Sequence, residues 1–225
     1  MSGEVAATLV GAGCCLIAAP YLARLTRTVP DREVRTWWRG VPVSGRRTFA
    51  TIALAVVLGA LAAAAGGWDA ALPAFVAVAL VGTPLVVIDY EHHRLPDRLV
   101  YLGAALETVL LTAAAAERGS WHELLRALEA AAVVFAVLLL LAMLAPRSFG
   151  FGDVKLGGIL GAYLGWVGWV PVYYGIFAAF LLGALLSLAL LATRRATLKT
   201  AIPFGPMLLL GALLVLALDL APDVG

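Results

Sequence analysis

Residues 70–88 read AALPAFVAVALVGTPLVVI, an uncharged run that stops on Asp89. A helix crossing a bilayer needs ~20 mainly apolar residues. Within hydrocarbon, backbone polar groups must bond inside their own segment, which a helix achieves. The stretch therefore reads as a membrane-spanning helix that delivers a carboxylate to the membrane edge. A carboxylate there is expensive to keep and points to a function.

Working outward, similar runs occupy residues 5–24, 49–66, 98–116, 124–145, 154–169, 171–192 and 203–220. The 225 residues are 63% hydrophobic and 13% charged, with mean hydropathy +0.98; a soluble domain holds about 25% charged residues. The chain is expected to be an all-α polytopic membrane protein of about eight spans, with the lipid bilayer as its medium and no nucleic-acid partner. The sixth run is short, Gly-rich and abuts the seventh at Pro171. Trp166 and Trp169 nevertheless mark an interface there, as Trp68 and Trp121 do at other loops, which favours eight over seven. Residues 1–69 read as a two-span N-terminal region with a short basic loop, and 70–225 as a six-span domain.

Charge sets the orientation. Arg24, Arg27, Arg32, Arg35, Arg39, Arg46 and Arg47 lie between the first two spans. Arg94, Arg98, Arg147, Lys155, Arg194, Arg195 and Lys199 fall on the same side by loop parity, whereas Arg118 and Arg126 fall on the other. Cationic loops face the cytoplasm, so both termini are expected outside. The first span has Glu4 before it and arginines after it, the pattern of an anchor rather than a cleavable signal. Cys14 and Cys15, the only cysteines, are adjacent and offer neither an ordinary disulfide nor a metal framework.

The same parity brings a second acid to the Asp89 side. Asp153, in Gly150-Phe151-Gly152-Asp153, opens the sixth span as Asp89 closes the third. A different parity would have separated them by about 30 Å of hydrocarbon. Two carboxyls ~3 Å apart cannot both ionise, so one can stay protonated to polarise a carbonyl while the other takes a proton from water. Amide hydrolysis by such a pair needs no metal and no cofactor.

Three elements recur in order on this side: Asp89 through Leu95-Pro96-Asp97, then Gly150-Phe151-Gly152-Asp153-Val154-Lys155, then Pro203-Phe204-Gly205-Pro206. Over residues 70–220 the chain thereby resembles the type IV prepilin peptidases, which are GxGD membrane aspartyl proteases. The resemblance implies a bacterial plasma-membrane enzyme with its site facing the cytoplasm. Its substrate would be a prepilin or pseudopilin, relieved of its basic leader by cleavage after a glycine. By the motif, Asp89 and Asp153 correspond to the catalytic pair, and the Pro203–Pro206 element belongs with the active-site region. Family members usually carry paired CxxC motifs in the first cytoplasmic loop, associated with zinc and with N-methylation. Here that loop is short, Arg-rich and without cysteine, so neither zinc nor methylation is expected.

Other residues have ordinary readings beside functional ones. Asp97 competes with Asp89 but sits where a side chain can cap a helix start. Gly150 and Gly152 allow a tight or positive-φ approach to Asp153. Lys155 anchors a helix end or folds back on Asp153. Gly157, Gly161 and Gly165 form a small-residue stripe, either drawing the Asp89 helix close or serving generic packing. Pro203 and Pro206 fall in the first turn of the last span, where proline is tolerated. Glu91 is open between substrate binding and tuning of the pair, and His92 and His93 read as solvated loop residues. Glu107 should face the bundle interior, and Glu129 should reach the outer interface.

Three other classes compete. A presenilin-like protease shares GxGD, but the chain lacks its Tyr-Asp and Pro-Ala-Leu signatures. A proton-coupled transporter would place its carboxylates near the midplane. An assembly factor that kept the fold without activity is separated only by assay.

Overall fold

The computed structural model describes residues 3–30, 36–66, 69–145, 150–194 and 203–218. These form eight α-helices: α1 (Gly3–Thr28), α2 (Gly45–Gly66), α3 (Leu72–His92), α4 (Asp97–Arg118), α5 (Trp121–Leu144), α6 (Phe151–Val167), α7 (Trp169–Ala192) and α8 (Gly205–Ala217). Among the described residues the only other helical element is a 3₁₀ turn at Trp37–Arg39, and there are no strands. The helices outrun several of the apolar runs because a helix propagates through backbone hydrogen bonds, which do not stop where apolarity stops. α1, α2, α3, α4, α5 and α7 are long and apolar enough to cross a membrane. The protein is a multi-pass membrane protein.

α6 and α8 are shorter, and both are heavily buried. α6 touches α3, α4, α5, α7 and α8. It is therefore a central post sheathed by other helices, so a span shorter than the bilayer is tolerated. Trp166, expected at an interface, is instead buried at 4% exposure, because it lies on this enclosed post, whereas Trp121 and Trp169 are exposed. Trp68 lies outside the described residues.

Lipid tails are as apolar as leucine, so helices in a membrane associate through close packing rather than through hydrophobic expulsion from water. Three helix pairs do this at glycines. A β-carbon on Gly11 of α1 would lie 2.5 Å from the Gly59 carbonyl oxygen of α2. One on Gly211 of α8 would lie 2.7 Å from the Gly175 carbonyl oxygen of α7. On α6, one on Gly161 would lie 2.8 Å from the Ala130 carbonyl oxygen, and Gly157 and Gly165 face Leu138 and Ala130 of the same helix, α5. The α6 stripe thus binds α5 and does not draw in α3, the Asp89 helix.

Each end of the bundle is laced separately. At one end Arg47 donates to Thr26 Oγ1 (2.9 Å) and to Glu91 Oε2 (2.5 Å), and Arg94 donates to the Pro30 carbonyl (3.1 Å), joining α1, α2 and α3. At the other, Arg118 pairs with Asp69 (2.6 Å). There Arg126 donates to the carbonyls of Gly165 (2.7 Å), Trp166 and Val167 (3.1 Å), capping the C-terminus of α6.

Candidate active site

α3 ends at His92 because His93 adopts the left-handed conformation (φ 51°, ψ 41°) and its N–H donates to the Asp89 carbonyl (2.8 Å). This is the C-terminal cap usually given to glycine. Asp89 lies in that last turn, 4% exposed. A carboxylate so buried needs a hydrogen-bond partner. The Gly205 N–H supplies it, donating to Asp89 Oδ2 at 3.1 Å from the first residue of α8. Pro206, at the second position, cannot donate, but that N–H would have no partner within the helix anyway. Pro203 stands before the helix rather than in its first turn, since Phe204 is the N-cap.

Asp153 is built in a similar way at the start of α6. It is 8% exposed. Its Oδ2 accepts the N–H of Gly150, the N-cap, at 3.2 Å, and its own N–H donates to the Gly150 carbonyl at 3.1 Å. Each aspartate therefore sits at a different helix N-terminus, where exposed N–H groups and the helix dipole favour negative charge. α3, α6 and α8 touch pairwise, and the two carboxyls lie within electrostatic reach of each other.

The glycines serve approach rather than dihedral freedom. Among the described residues, positive-φ glycines are confined to Gly40 and Gly119, and Gly150 is extended (φ −82°, ψ 143°). A β-carbon on Gly150 would lie 3.2 Å from Asp153 Oδ2, and one on Gly205 would lie 2.8 Å from Asp89 Oδ2. One on Gly152 would meet Leu95 Cβ at 2.8 Å. Leu95, just before Pro96, is wedged between Gly152 and Gly205 and so touches both helix starts that hold the aspartates. Sequence reasoning quoted it within Leu95-Pro96-Asp97 but gave it no role of its own.

Asp97 lies elsewhere. Pro96 occupies the N-cap of α4 and makes no side-chain cap, so Asp97 is the first helical residue and does not cap the backbone. Its carboxylate instead pairs with Lys155 Nζ at 2.6 Å and is 56% exposed. Lys155, turned to Asp97, also lies over the rings of Tyr101 (4.8 Å) and Phe151 (5.0 Å), positions suited to cation–π attraction. It neither reaches Asp153 nor stands free as an anchor. Glu91 is held by Arg47, with His92 Nε2 4.0 Å away. Among the described residues no three His, Cys, Asp or Glu side chains gather as a metal site.

Two buried aspartates thus stand at one end of a helical bundle, each fixed by a main-chain donor. Residues 76–188, half of the chain, match the model of the type IV leader peptidase family. That segment contains Asp89, Pro96, Asp97, Gly150, Gly152, Asp153 and Lys155, and ends before α8. The chain is 33% identical over 129 residues to a prepilin leader peptidase/N-methyltransferase of Pseudomonas putida, covering 55% of this chain and 42% of that protein. It is 36% identical over 129 residues to the protein of the same name from Pseudomonas aeruginosa (54% and 41%). With the one from Legionella pneumophila it is 30% identical over 145 residues (59% and 45%). The matches span less than half the length of these relatives. No solved structure matches it. With half its length matching the family model, and with Gly150 of GxGD holding Asp153 at the start of α6, the chain belongs to the type IV leader peptidase family.

Proposed function

We propose that the protein is an aspartic endopeptidase of the bacterial inner membrane that removes the basic leader from prepilins or pseudopilins, cutting after a glycine at the cytoplasmic face. Asp89 and Asp153 are the catalytic pair. The observation that carries this reading is their placement: buried, at one end of the bundle, each on the N–H of a different helix start. The charge distribution supports the orientation, because described cations gather at the Asp89 end and a basic leader also stays inside. The names of the relatives support the substrate class.

In the reaction, the ionised aspartate takes a proton from water as its oxygen adds to the scissile carbonyl carbon. The protonated aspartate gives its proton to the carbonyl oxygen. Collapse of the tetrahedral species breaks the C–N bond, a proton passes to the departing amine, and the pair returns to one shared proton. No methyl transfer is proposed, so the product should keep an unmethylated amino terminus.

The test is co-expression with a pseudopilin, reading leader loss by gel shift and the new terminus by mass spectrometry. Asp89→Asn and Asp153→Asn should each cut the cleavage rate by about a thousandfold or more, and the double variant little further, because members of one catalytic unit are non-additive. Asp97→Asn should retain most activity, since an exposed ion pair contributes only about 0–1 kcal/mol. Normal cleavage by both asparagine variants at the pair would end the aspartyl reading. A dead Asp97→Asn beside an active Asp89→Asn would move the first aspartate.

A further inference from the structure

Each aspartate takes its hydrogen bond from a different helix start, so the separation of the two carboxyls depends on what holds the starts of α6 and α8 apart. Two glycines face that gap: Gly152, directly before Asp153, and Gly205, whose N–H holds Asp89. Leu95 fills it. Its β-carbon lies 2.8 Å from where one on Gly152 would stand, and its Cδ1 and Cδ2 each lie 3.4 Å from where one on Gly205 would stand. The side chain therefore reaches from one helix start to the other, its root against α6 and its methyl groups against α8. Pro96 keeps the residue before it out of the helical region, so the backbone that carries this side chain has little freedom. Leu95 is buried, at 8% exposure. Behind it lies a cleft of about 260 Å³ lined also by Val29, Pro30, Arg94, Asp97 and Arg98. The space on that side is open rather than packed, so a shortened side chain would leave the two helix starts without a spacer.

We propose that Leu95 is a positioning residue of the peptidase: as the spacer between the starts of α6 and α8, it sets the distance between the Asp89 and Asp153 carboxyls. The proposal rests on the peptidase reading above. Leu95 carries no proton and makes no hydrogen bond through its side chain. It acts through the Gly150 and Gly205 N–H groups, whose helices it keeps in place. An apolar spacer suits this gap, because a polar side chain beside two buried carboxyls would compete for the hydrogen bonds that fix them. A leucine that only filled the core would, on truncation, cost stability without a selective loss of turnover.

The experiment measures kcat and KM for leader removal from a pseudopilin by purified enzyme in detergent micelles, with the unfolding temperature in parallel. Leu95→Ala should lower kcat by about tenfold to a hundredfold, the cost of misplacing a reacting group, and leave KM nearly unchanged. Leu95→Val, which removes one carbon, should fall between Leu95→Ala and wild type, and it carries the test if Leu95→Ala does not accumulate. Leu95→Met, of similar volume, should recover most of kcat. Leu124→Ala truncates a leucine of similar burial, 9% exposed, in the first turn of α5 at the far end of the bundle. It should lower the unfolding temperature and leave kcat unchanged. Combining Leu95→Ala with Gly205→Ala should give a loss well short of the product of the two single losses, because both disturb one contact. An unchanged kcat in the Leu95 variants, a loss confined to KM, no recovery in Leu95→Met, an equal loss of kcat in Leu124→Ala, or losses that multiply in the double variant would each overturn the spacer assignment while the peptidase reading stood. Failure of the wild type to cut, or normal cleavage by Asp89→Asn and Asp153→Asn, would overturn the peptidase reading, and this proposal with it.

Discussion

At Gly205 one hydrogen atom in place of a methyl group sets where a carboxylate can be. The N–H of this residue holds Asp89, and a β-carbon there would stand 2.8 Å from Asp89 Oδ2. Gly205→Ala leaves every titratable group and the donor itself in place, yet it must push the carboxylate away or tilt the start of α8. Cleavage should fall by about tenfold to a hundredfold, since a small misplacement of a reacting group costs on that scale. Protein level in the membrane should be little changed. Gly45→Ala is the matched control, because a β-carbon at Gly45 meets nothing within 4 Å. Activity in Gly205→Ala equal to wild type would mean that the main-chain hold on Asp89 is not part of the machinery. The same logic explains why Asp97 is a weak rival: it is exposed, bound to Lys155, and no backbone donor fixes it.

Among elements, α6 has the largest structural burden, carrying Asp153 at its start and the close contact with α5 along its length. Gly161→Leu should therefore cost about 1–3 kcal/mol or more through overpacking, because its neighbours at 2.8 and 3.0 Å are the backbone of Ala130 and Ala131, which cannot rotate aside. The readout is a lower unfolding temperature and lower accumulation, with Leu140→Ala on the exposed face of α5 as the control. A variant as stable as wild type would show that the α5–α6 contact is not tight. The existence of α6, its shortness and its carboxylate at the Asp89 end were all legible in the sequence, since apolar length and loop parity depend on residues near one another in the chain. Its partner was not. A Gly-xxx-Gly stripe specifies that something approaches closely without specifying what, and here α5 occupies it rather than α3. Lys155 and Asp97 are 58 positions apart, Leu95 reaches two helix starts far from it in sequence, and Trp166 is buried by the helices around α6. Each of these depends on how helices pack, which hydropathy does not encode.

For the whole molecule, the decisive property is which end of the bundle faces the cytoplasm. Arg47 with Glu91 and Arg94 with Pro30 mark the end that holds Asp89 and Asp153, whereas Arg118 with Asp69 and the Arg126 cap mark the other. The described cations are thus strongly biased to the aspartate end, and those that do sit at the far end are tied to an acid or to carbonyl groups. Lysines and arginines near span ends set orientation whether or not they are paired, so the aspartate end should lie inside. A leader that is itself basic then reaches the pair without crossing the membrane, while its apolar helix enters the bilayer. The check is labelling of single cysteines in a Cys14→Ala background with a membrane-impermeant thiol reagent. Arg46→Cys and His93→Cys should react only when the cytoplasmic face is opened, and Glu117→Cys should react in intact cells. The reverse pattern would place the aspartates outside, where a positively charged leader would first have to cross the membrane, and leader cleavage by this pair would have to be given up even if the two carboxyls proved to act together.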